Sequence, residues 1–290
     1  MFFVVKLIGS AIPHQTPKNC YNLPMRYWIF TVLAALIAIG LWYYFLPKEN
    51  AFPWVKKVLA GQAGVVSPDA KTDGWRQLAP GLEYCTFAPS GAQVTAVRAD
   101  LSRVKMCVTD TRSAENALGS RAETVCPAVG VAINASMFGE DRSPLGLLVI
   151  NSKRMQPAFP KDNWGGALLL RNGKVSIVPL NSKTPTGVTQ GIECRPRLVI
   201  DGVIPGFKPS NGTMRAAGGV DKDGLLLLAA SGARLTMEQW AAFMRDELHC
   251  IDALNFDGGP SAQLAMNGGK DLPSVPSQVP VPVFITLAPK

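Results

Sequence analysis

Short apolar runs separated by turn residues dominate the chain from about Trp75 onwards. Runs of about four to eight apolar or alternating residues are typical of β-strands. Strands are predicted at 83–87, 93–100, 131–134, 146–150, 167–170, 175–179, 196–200, 225–230, 253–257, 263–266 and 281–287. Residue pairs that favour tight turns between antiparallel strands lie between or beside them: Asn172-Gly173, Asp201-Gly202, Asp223-Gly224 and Asn267-Gly268.

Two segments have helical spacing instead. Thr236 and Gln239 have the spacing of a capping box. They open an amphipathic run whose apolar positions share one face, namely Trp240, Phe243, Met244 and Leu248. A weaker helix is predicted at 112–124. Because strands outnumber helices and do not alternate with them, we predict an α+β domain with a mainly antiparallel, curved sheet and a few helices.

Residues 27–46 form a continuous apolar stretch of about 20 residues without a charge. A stretch of that length crosses a bilayer as a helix, and aromatic residues lie at both of its ends, as in the belts at lipid headgroups. A cleavable signal peptide is the alternative, but no small-residue cleavage pattern follows Leu46. The pattern therefore predicts an uncleaved transmembrane signal anchor.

These patterns divide the chain into four parts. Residues 1–26 are a short N-terminal segment, 27–46 the transmembrane anchor, 47–74 a stalk and 75–290 the folded domain. Met25, directly before Arg26, is an alternative start. The predicted localisation is a single-pass membrane protein whose folded domain is extracytoplasmic, either periplasmic or extracellular.

The net charge of +8 does not indicate a nucleic-acid-binding protein. Residues 1–60 hold six basic residues and only one acidic residue, Glu49. Much of the positive surplus therefore lies around the predicted membrane span. The rest of the chain has no basic run and no arginine-rich helix, so the predicted partners include the membrane but no nucleic acid.

The six cysteines do not have metal-site or redox-motif spacing, because none forms a C-x-x-C pair. Cys85 and Cys107 lie in neighbouring strand-like segments and are one conceivable disulfide, and Cys194 with Cys250 is another. Free buried thiols are the alternative for each. The spacing does not decide among these.

The residues that several common classes of catalytic site require are absent from the sequence. The chain has only two histidines, and His14 precedes the predicted span, so a Ser-His-Asp or Cys-His site would depend on His249 alone. P-loop, dinucleotide-binding and Gly-x-Ser-x-Gly motifs are absent. Residues 221–224 resemble the start of a calcium loop, but the positions that follow lack the required oxygen ligands, which favours a hairpin turn. Carboxylate, arginine and amide chemistry remains, which suits hydrolysis of glycosidic or phosphoester bonds.

The loop 255–261, Asn-Phe-Asp-Gly-Gly-Pro-Ser, follows the apolar run 251–254. It places the Asp257 carboxylate at the end of a strand, directly before two glycines. Backbone N–H groups of glycines can approach a ligand closely and bind an anion. A plain turn after a buried strand is the alternative reading of this loop alone.

Four segments together resemble the phosphodiester glycosidase family: 133–138 (INASMF), 195–202 (RPRLVIDG), 215–224 (RAAGGVDKDG) and the loop 255–261. The resemblance extends over roughly 75–287, with the helix from Thr236 between the third and fourth segments. It implies hydrolysis of a sugar–O–phosphate link at the anomeric carbon, with a glycan or glycolipid phosphodiester as the substrate.

The resemblance also implies roles for individual residues. Asp257 is the expected general acid/base or the group that stabilises positive charge on the sugar ring. Arg215 is expected to bind phosphodiester oxygens through its guanidinium, and Asn134 to contact the sugar or phosphate through its amide. These three residues are the predicted catalytic set.

Phosphate or substrate binding is expected from four further residues: Gly258, Gly259, Ser261 and Arg197. No cofactor and no resident metal are predicted, although Asp257, Asn134 and Asp221 offer oxygen atoms to a divalent cation. A second catalytic carboxylate is not identified. Its candidates are Glu140, Asp141 and Glu193.

The resulting hypothesis is a membrane-anchored extracytoplasmic hydrolase that cleaves a glycosyl phosphodiester in cell-envelope polysaccharide or glycolipid. Two alternatives remain open from the sequence. One is a non-catalytic carbohydrate-binding or exopolysaccharide assembly protein on the same fold. The other is a phosphodiesterase in which water attacks phosphorus rather than the anomeric carbon.

Overall fold

The computed structural model describes residues 74–160, 164–179 and 186–290. The predicted N-terminal segment, the predicted transmembrane anchor at 27–46 and residues 47–73 of the predicted stalk lie outside these ranges. Within the ranges that are described, no helix combines the length and apolar character needed to span a bilayer.

The described residues form β-strands joined by short turns, with little helix. In chain order the strands are β1 (Arg76–Ala79), β2 (Leu82–Phe87), β3 (Val94–Ala99), β4 (Val104–Asp110), β5 (Gly130–Asn134), β6 (Leu148–Ile150), β7 (Lys153–Gln156), β8 (Gly166–Arg171), β9 (Lys174–Val178), β10 (Val188–Cys194), β11 (Arg197–Val199), β12 (Thr213–Asp221), β13 (Leu226–Leu235), β14 (Cys250–Asn255), β15 (Leu264–Asn267) and β16 (Val283–Pro289). The helices are α1 (Ala122–Val125) and α2 (Met237–Ala242), which continues into a π-helical segment, Phe243–Glu247.

These strands form three sheets in the described part of the chain. The seven-stranded sheet has the order β1-β2-β3-β13-β12-β14-β11, the five-stranded sheet β7-β6-β10-β8-β9 and the four-stranded sheet β15-β5-β16-β4. The strand pairings in them are antiparallel. The prediction of mainly antiparallel structure with few helices is confirmed, but three sheets take the place of the one curved sheet that was expected.

The main hydrophobic core is shared by all three sheets. Fully buried members include Phe256 after β14, Leu168 and Ile192 in the five-stranded sheet, and Ile133 and Ile285 in the four-stranded sheet. Burying each such side chain stabilises the fold by about 1.5–3 kcal/mol relative to leaving it in water. This shared core fixes the positions of the three sheets relative to one another, and therefore of the strand ends.

The helix predicted from the capping box is confirmed. The Thr236 hydroxyl accepts a hydrogen bond from the Gln239 backbone N–H, and the Gln239 side chain accepts one from the Thr236 backbone N–H. The predicted apolar face is buried against the seven-stranded sheet, and its members are Trp240, Phe243, Met244 and Leu248.

The second predicted helix, at 112–124, is wrong except for α1 at its end. The Asp110 carboxylate accepts hydrogen bonds from the backbone N–H and the guanidinium of Arg112, which holds the chain outside a helix. Gly119 has a φ of +86°, and Ser120 pairs with Val281 as an isolated bridge. These contacts satisfy backbone groups that a helix would otherwise use.

Three long strands, β4, β10 and β12, were missing from the predicted set. Strand β12 contains the small residues Ala216 to Gly219, which lack the β-branched and aromatic side chains that mark strands. The small residues have a packing reason. A Cβ on Gly218 would lie 2.6 Å from Cζ of Phe256, and one on Gly219 would lie 2.4 Å from Sγ of Cys250.

None of the five described cysteines forms a disulfide. Neither the Cys85–Cys107 pair nor the Cys194–Cys250 pair forms a disulfide. Burial raises the pKa of the Cys194 and Cys250 thiols well above their usual range. Both therefore remain protonated, unreactive parts of the packed interior.

Candidate active site

The ends of three strands, one from each sheet, meet at the backbone carbonyl of Ala135. Strand β5 ends at Asn134, directly before Ala135. The Asp257 N–H, just after β14, donates to this carbonyl at 3.2 Å. The Cys194 thiol at the end of β10 donates to the same oxygen at 3.7 Å. Side chains from distant parts of the sequence are therefore brought together here.

Asp257 is half-buried at this junction, and burial raises the pKa of its carboxyl. The raised pKa is moderated by hydrogen bonds from the Ser261 hydroxyl and the Gly258 N–H, and by the positive charge of Arg142. The Gly258 N–H lies 3.1 Å from Oδ1 of Asp257. A carboxyl that is partly desolvated yet still in contact with donors can hold or release a proton, as general acid–base catalysis requires.

The turn after Asp257 needs its two glycines. A Cβ on Gly258 would lie 2.9 Å from the Met214 carbonyl oxygen, and Gly259 has a φ of +59°, which favours glycine. A 3-10 turn follows over Gly259–Ser261. Two of the donors predicted to bind phosphate, the Gly258 N–H and the Ser261 hydroxyl, hydrogen-bond to the Asp257 carboxylate in this structure.

The Asn134 side chain holds this turn with two hydrogen bonds. Its Nδ2 donates to the Asp257 carbonyl at 2.7 Å, and its Oδ1 accepts from the Gln263 N–H at 2.9 Å. The residue is only 1% exposed. Its side chain thus ties both ends of the turn to β5, so the structure places Asn134 as a support for Asp257.

Arg142 is the cation that acts on the pKa of Asp257, and it was not among the predicted site residues. Its guanidinium carbon lies 4.3 Å from the ring centroid of Phe138. Its Nη2 donates to the carbonyls of Leu118, at 2.9 Å, and Pro280. These contacts hold the positive charge in place. The only indication of Arg142 in the sequence is its place shortly after the first family segment, nine residues from Ile133.

Arg215 lies near Asp257 along the backbone but directs its guanidinium elsewhere. Phe256 N–H donates to the Ala216 carbonyl at 2.8 Å, so extending this ladder by one pair places Arg215 beside Asp257. Arg215 Nε, however, donates to the Leu235 carbonyl at 3.0 Å, next to the start of α2. Burial lowers the pKa of Arg215, and Glu238 opposes that shift.

Arg197 lies on β11, the strand next to β14, and pairs with Leu254 of β14. Its side chain covers Gly166, because a Cβ on that glycine would lie 2.7 Å from Cδ of Arg197. Gly166 in turn pairs with Cys194, whose thiol lies in the field of the Asp257 carboxylate. Arg197 is therefore a neighbour of the site but not a contact of Asp257.

The candidates for a second carboxylate do not join Asp257. The Glu193 carboxylate accepts hydrogen bonds from the backbone N–H of Leu147, at 2.9 Å, and from that of Phe159, at 2.8 Å. Glu193 therefore joins the segments around Leu147 and Phe159. Glu140 and Asp141 are exposed, and Asp141 accepts hydrogen bonds from Ser143. The raised pKa of Asp257 thus has no carboxylate among its causes.

Asp221 lies at the opposite end of β12 from Arg215, so the predicted set of oxygen atoms from Asp257, Asn134 and Asp221 does not form. Oδ1 of Asp221 accepts from the N–H groups of Asp223 and Leu225, which is the hairpin turn expected for this segment. Among the residues that the structure describes, no cluster of three or more metal-ligating side chains is found.

The buried polar atoms beside the site that have no hydrogen-bond partner within the described ranges include the Ser136 hydroxyl and Oδ1 of Asn255. Ser136 is 2% exposed and Asn255 4%. Buried polar atoms are rarely left unpaired, so a water molecule or a ligand is the expected partner. Both residues belong to the family segments, but neither was predicted to act.

Residues 128–287 match the sequence model of the phosphodiester glycosidase family. No protein of curated function matches the chain in sequence. The catalytic domain of zebrafish N-acetylglucosamine-1-phosphodiester alpha-N-acetylglucosaminidase, auto-inhibited by its pro-peptide, is similar in structure, with a TM-score of 0.55 and 18% identity over 78% of this chain and 85% of that chain.

A protein of Burkholderia pseudomallei K96243 that is described as exported is also similar, with a TM-score of 0.53 and 14% identity over 70% of this chain and 75% of that chain. At these identities the two structures show a shared fold. The family match includes Asn134, Arg142, Arg197, Arg215 and Asp257 and extends over more than half of the sequence. The chain therefore belongs to the phosphodiester glycosidase family and is an enzyme of that class.

Proposed function

We propose that this enzyme hydrolyses a glycosyl phosphodiester in cell-envelope polysaccharide or glycolipid, with Asp257 as the proton-transferring group. The observation that carries the proposal is the Asp257 carboxyl itself, which has a raised pKa and lies at the junction of three sheets inside the family-matched region. The predicted anchor at 27–46 supports an extracytoplasmic domain held at the membrane, where such substrates occur.

The chemistry that follows is a displacement at the anomeric carbon. Water adds to this carbon, the bond to the phosphate oxygen breaks, and the bonding electrons leave with that oxygen. Asp257 donates its proton to the departing oxygen, the attacking water releases a proton to the solvent, and Asp257 is reprotonated from the solvent before the next turnover. Burial raises the pKa of Asp257, so the carboxyl keeps the proton that it donates up to a higher pH.

The remaining residues position Asp257 and neutralise the charge of the phosphodiester. Asn134 fixes the Asp257 turn through its two hydrogen bonds. Arg142 and Arg215 supply positive charge that favours a phosphodiester over a neutral glycoside. The Ser136 hydroxyl and Oδ1 of Asn255 are buried, and a water molecule between them and the substrate would satisfy them.

The decisive experiment is hydrolysis of a sugar 1-phosphodiester in ¹⁸O-labelled water, with mass analysis of both products. Attack at the anomeric carbon places the label in the released sugar. Label in the phosphate product would show attack at phosphorus and contradict the mechanism. Binding of the diester without turnover would instead favour a carbohydrate-binding or assembly role.

Arg142→Gln is expected to shift the pH profile of the reaction. The Arg142 charge lowers the pKa of Asp257, so its removal raises that pKa further. A general acid is active while protonated, and the alkaline limb of kcat/KM should therefore move to higher pH. The measurement is kcat/KM against pH for the wild type and the variant.

Arg121→Gln is the matched control, because Arg121 is an exposed cation in the same region that bonds to Ser277. Its alkaline limb should stay at the wild-type position. An unchanged limb in Arg142→Gln, in protein that melts as a folded domain, would exclude an electrostatic role for Arg142.

A further inference from the structure

A cavity beside β11 is not used by the chemistry described above. It has a volume of about 120 Å³, and its lining includes Trp164, Pro196, Arg197, Pro205 and Phe207. The cavity therefore combines aromatic and proline surfaces with one positively charged side chain. Small-molecule sites commonly have this composition, in which apolar walls supply contact area and a few polar groups fix orientation.

Trp164 supplies an aromatic surface to the cavity. The residue is 59% exposed, which is unusual for a large apolar side chain in this domain. Its carbonyl accepts a hydrogen bond from the Arg197 N–H at 2.9 Å, so the backbone at Trp164 is tied to β11. An exposed indole face that is held in place can pack on the C–H face of a sugar ring.

Arg197 supplies the charge. Its Nε is buried and has no hydrogen-bond partner within the described ranges. Its backbone N–H is already used by Trp164, and its aliphatic part is packed on Gly166. The Arg197 guanidinium also interacts with the half-buried Asp252 carboxylate, whose pKa burial raises and the Arg197 charge lowers. A ligand with an anionic oxygen would share the guanidinium with Asp252, because its fork of donors can pair with more than one carboxylate or phosphate oxygen.

The cavity adjoins the catalytic junction. Arg197 pairs with Leu254, which is three residues before Asp257 on the neighbouring strand. Three residues of extended chain span roughly 10 Å. The Asn255 N–H also donates to the Pro196 carbonyl at 3.0 Å, so the lining of the cavity and the strand that carries Asp257 are directly bonded. A substrate longer than one sugar can thus contact both.

We propose that the Trp164–Arg197 cavity is a binding subsite for an anionic sugar, a ring with a carboxylate or a phosphate, located in the substrate beyond the bond that is cleaved. The indole and Phe207 contact the ring, and the Arg197 guanidinium binds the anionic group. The position of the sugar in the substrate rests on the proposed function, whereas the binding of the sugar does not.

The test measures binding calorimetrically in the full chain with Asp257→Asn, which prevents turnover. The probes are glucose, glucuronate and glucose 6-phosphate. Both anionic sugars should bind more tightly than glucose, and whichever of them binds tighter identifies carboxylate or phosphate as the preferred group. Adding Trp164→Ala or Arg197→Gln should weaken anionic-sugar binding about tenfold each.

Two matched controls use neighbouring residues that do not line the cavity. Lys208→Gln removes a positive charge next to Phe207, and Val203→Ala removes an apolar side chain that is 64% exposed. Both should bind the probes like the parent protein. Arg197→Lys, which keeps the charge without the fork of donors, should lie between the parent and Arg197→Gln.

Equal binding of glucose and the anionic sugars, or unchanged binding in both Trp164→Ala and Arg197→Gln, would overturn the proposal. Melting temperatures near that of the parent establish that these variants are folded. Hydrolysis is measured separately in protein that retains Asp257. Anionic-sugar binding without any hydrolysis would refute the proposed function alone, and hydrolysis without such binding would refute the subsite alone.

Discussion

Asp257→Asn is expected to reduce kcat/KM for a sugar 1-phosphodiester by about 10²–10⁴-fold, the usual contribution of a general acid or base. The amide has nearly the shape of the carboxyl but cannot transfer a proton. The same change should stabilise the domain at neutral pH, because it removes a carboxylate whose ionisation is opposed by burial. Kinetic assays and thermal melts across pH measure the two effects.

The stability gain has a definite pH dependence. The folded-state pKa of Asp257 is raised, so the folded domain binds this proton more tightly than the unfolded chain does. The associated stability is complete below the ordinary aspartate range and is lost as pH rises through the folded pKa. The melting temperature of Asp257→Asn should therefore exceed the wild-type value increasingly as pH rises through this window.

Asp252→Asn provides a close control. Asp252 lies on β14 five residues before Asp257, and burial raises the pKa of its carboxyl too. Its variant should share the gain in melting temperature at neutral pH and retain wild-type kcat/KM. Full activity in Asp257→Asn would contradict the assignment of Asp257, whereas equal losses in both variants would show that the effect is not specific to the junction.

Asn134→Ala is expected to destabilise the domain by about 2–5 kcal/mol. It leaves the Asp257 carbonyl and the Gln263 N–H without the partner that each has now, and an unpaired buried group costs about 1–3 kcal/mol. Because the Asp257 turn is no longer tied to β5, kcat/KM should also fall under conditions where the variant is folded. Chemical denaturation and steady-state kinetics measure these effects.

Asn267→Ala is the matched control for this loss. The Asn267 amide also donates to a backbone carbonyl, that of Pro127 at 3.2 Å, but it is exposed to water. Its removal should change the free energy of unfolding by less than about 0.5 kcal/mol. If Asn134→Ala were as mild as this control, its two hydrogen bonds would not be what holds the turn.

Sequence patterns predict the structure correctly where the determining interactions are local. The Thr236 capping box lies within four residues, and the position of Asp257 after an apolar strand and before two glycines is also a short-range pattern. Local patterns miss β12, because Gly218 and Gly219 are small on account of Phe256 and Cys250, which are distant in sequence. Local propensity carries no information about such contacts.

Arg142 illustrates the same limit for the site. Its charge acts on Asp257 only because β5 and β14 belong to different sheets whose ends meet at Ala135. No spacing in the sequence encodes that meeting. Arg215 has the expected position on the backbone, and its Nε donates to the Leu235 carbonyl, a contact that no sequence spacing indicates. Residue types in the sequence thus indicate hydrolytic chemistry, whereas the packing of the sheets determines which side chains contact one another around Asp257.

The place of β16 has a consequence for how this enzyme is made. The strand lies between β5 and β4, and the Ala135 N–H donates to the Val283 carbonyl at 3.0 Å. Residues of β16 therefore complete the sheet on which the first site segment depends, and they are translated after every other strand that the structure describes. Until they emerge, β4 and β5 each lack a neighbour, and a nascent chain must carry these open edges through most of its synthesis. The segment after β5 thus gains its last sheet neighbour only after the other described strands have been translated.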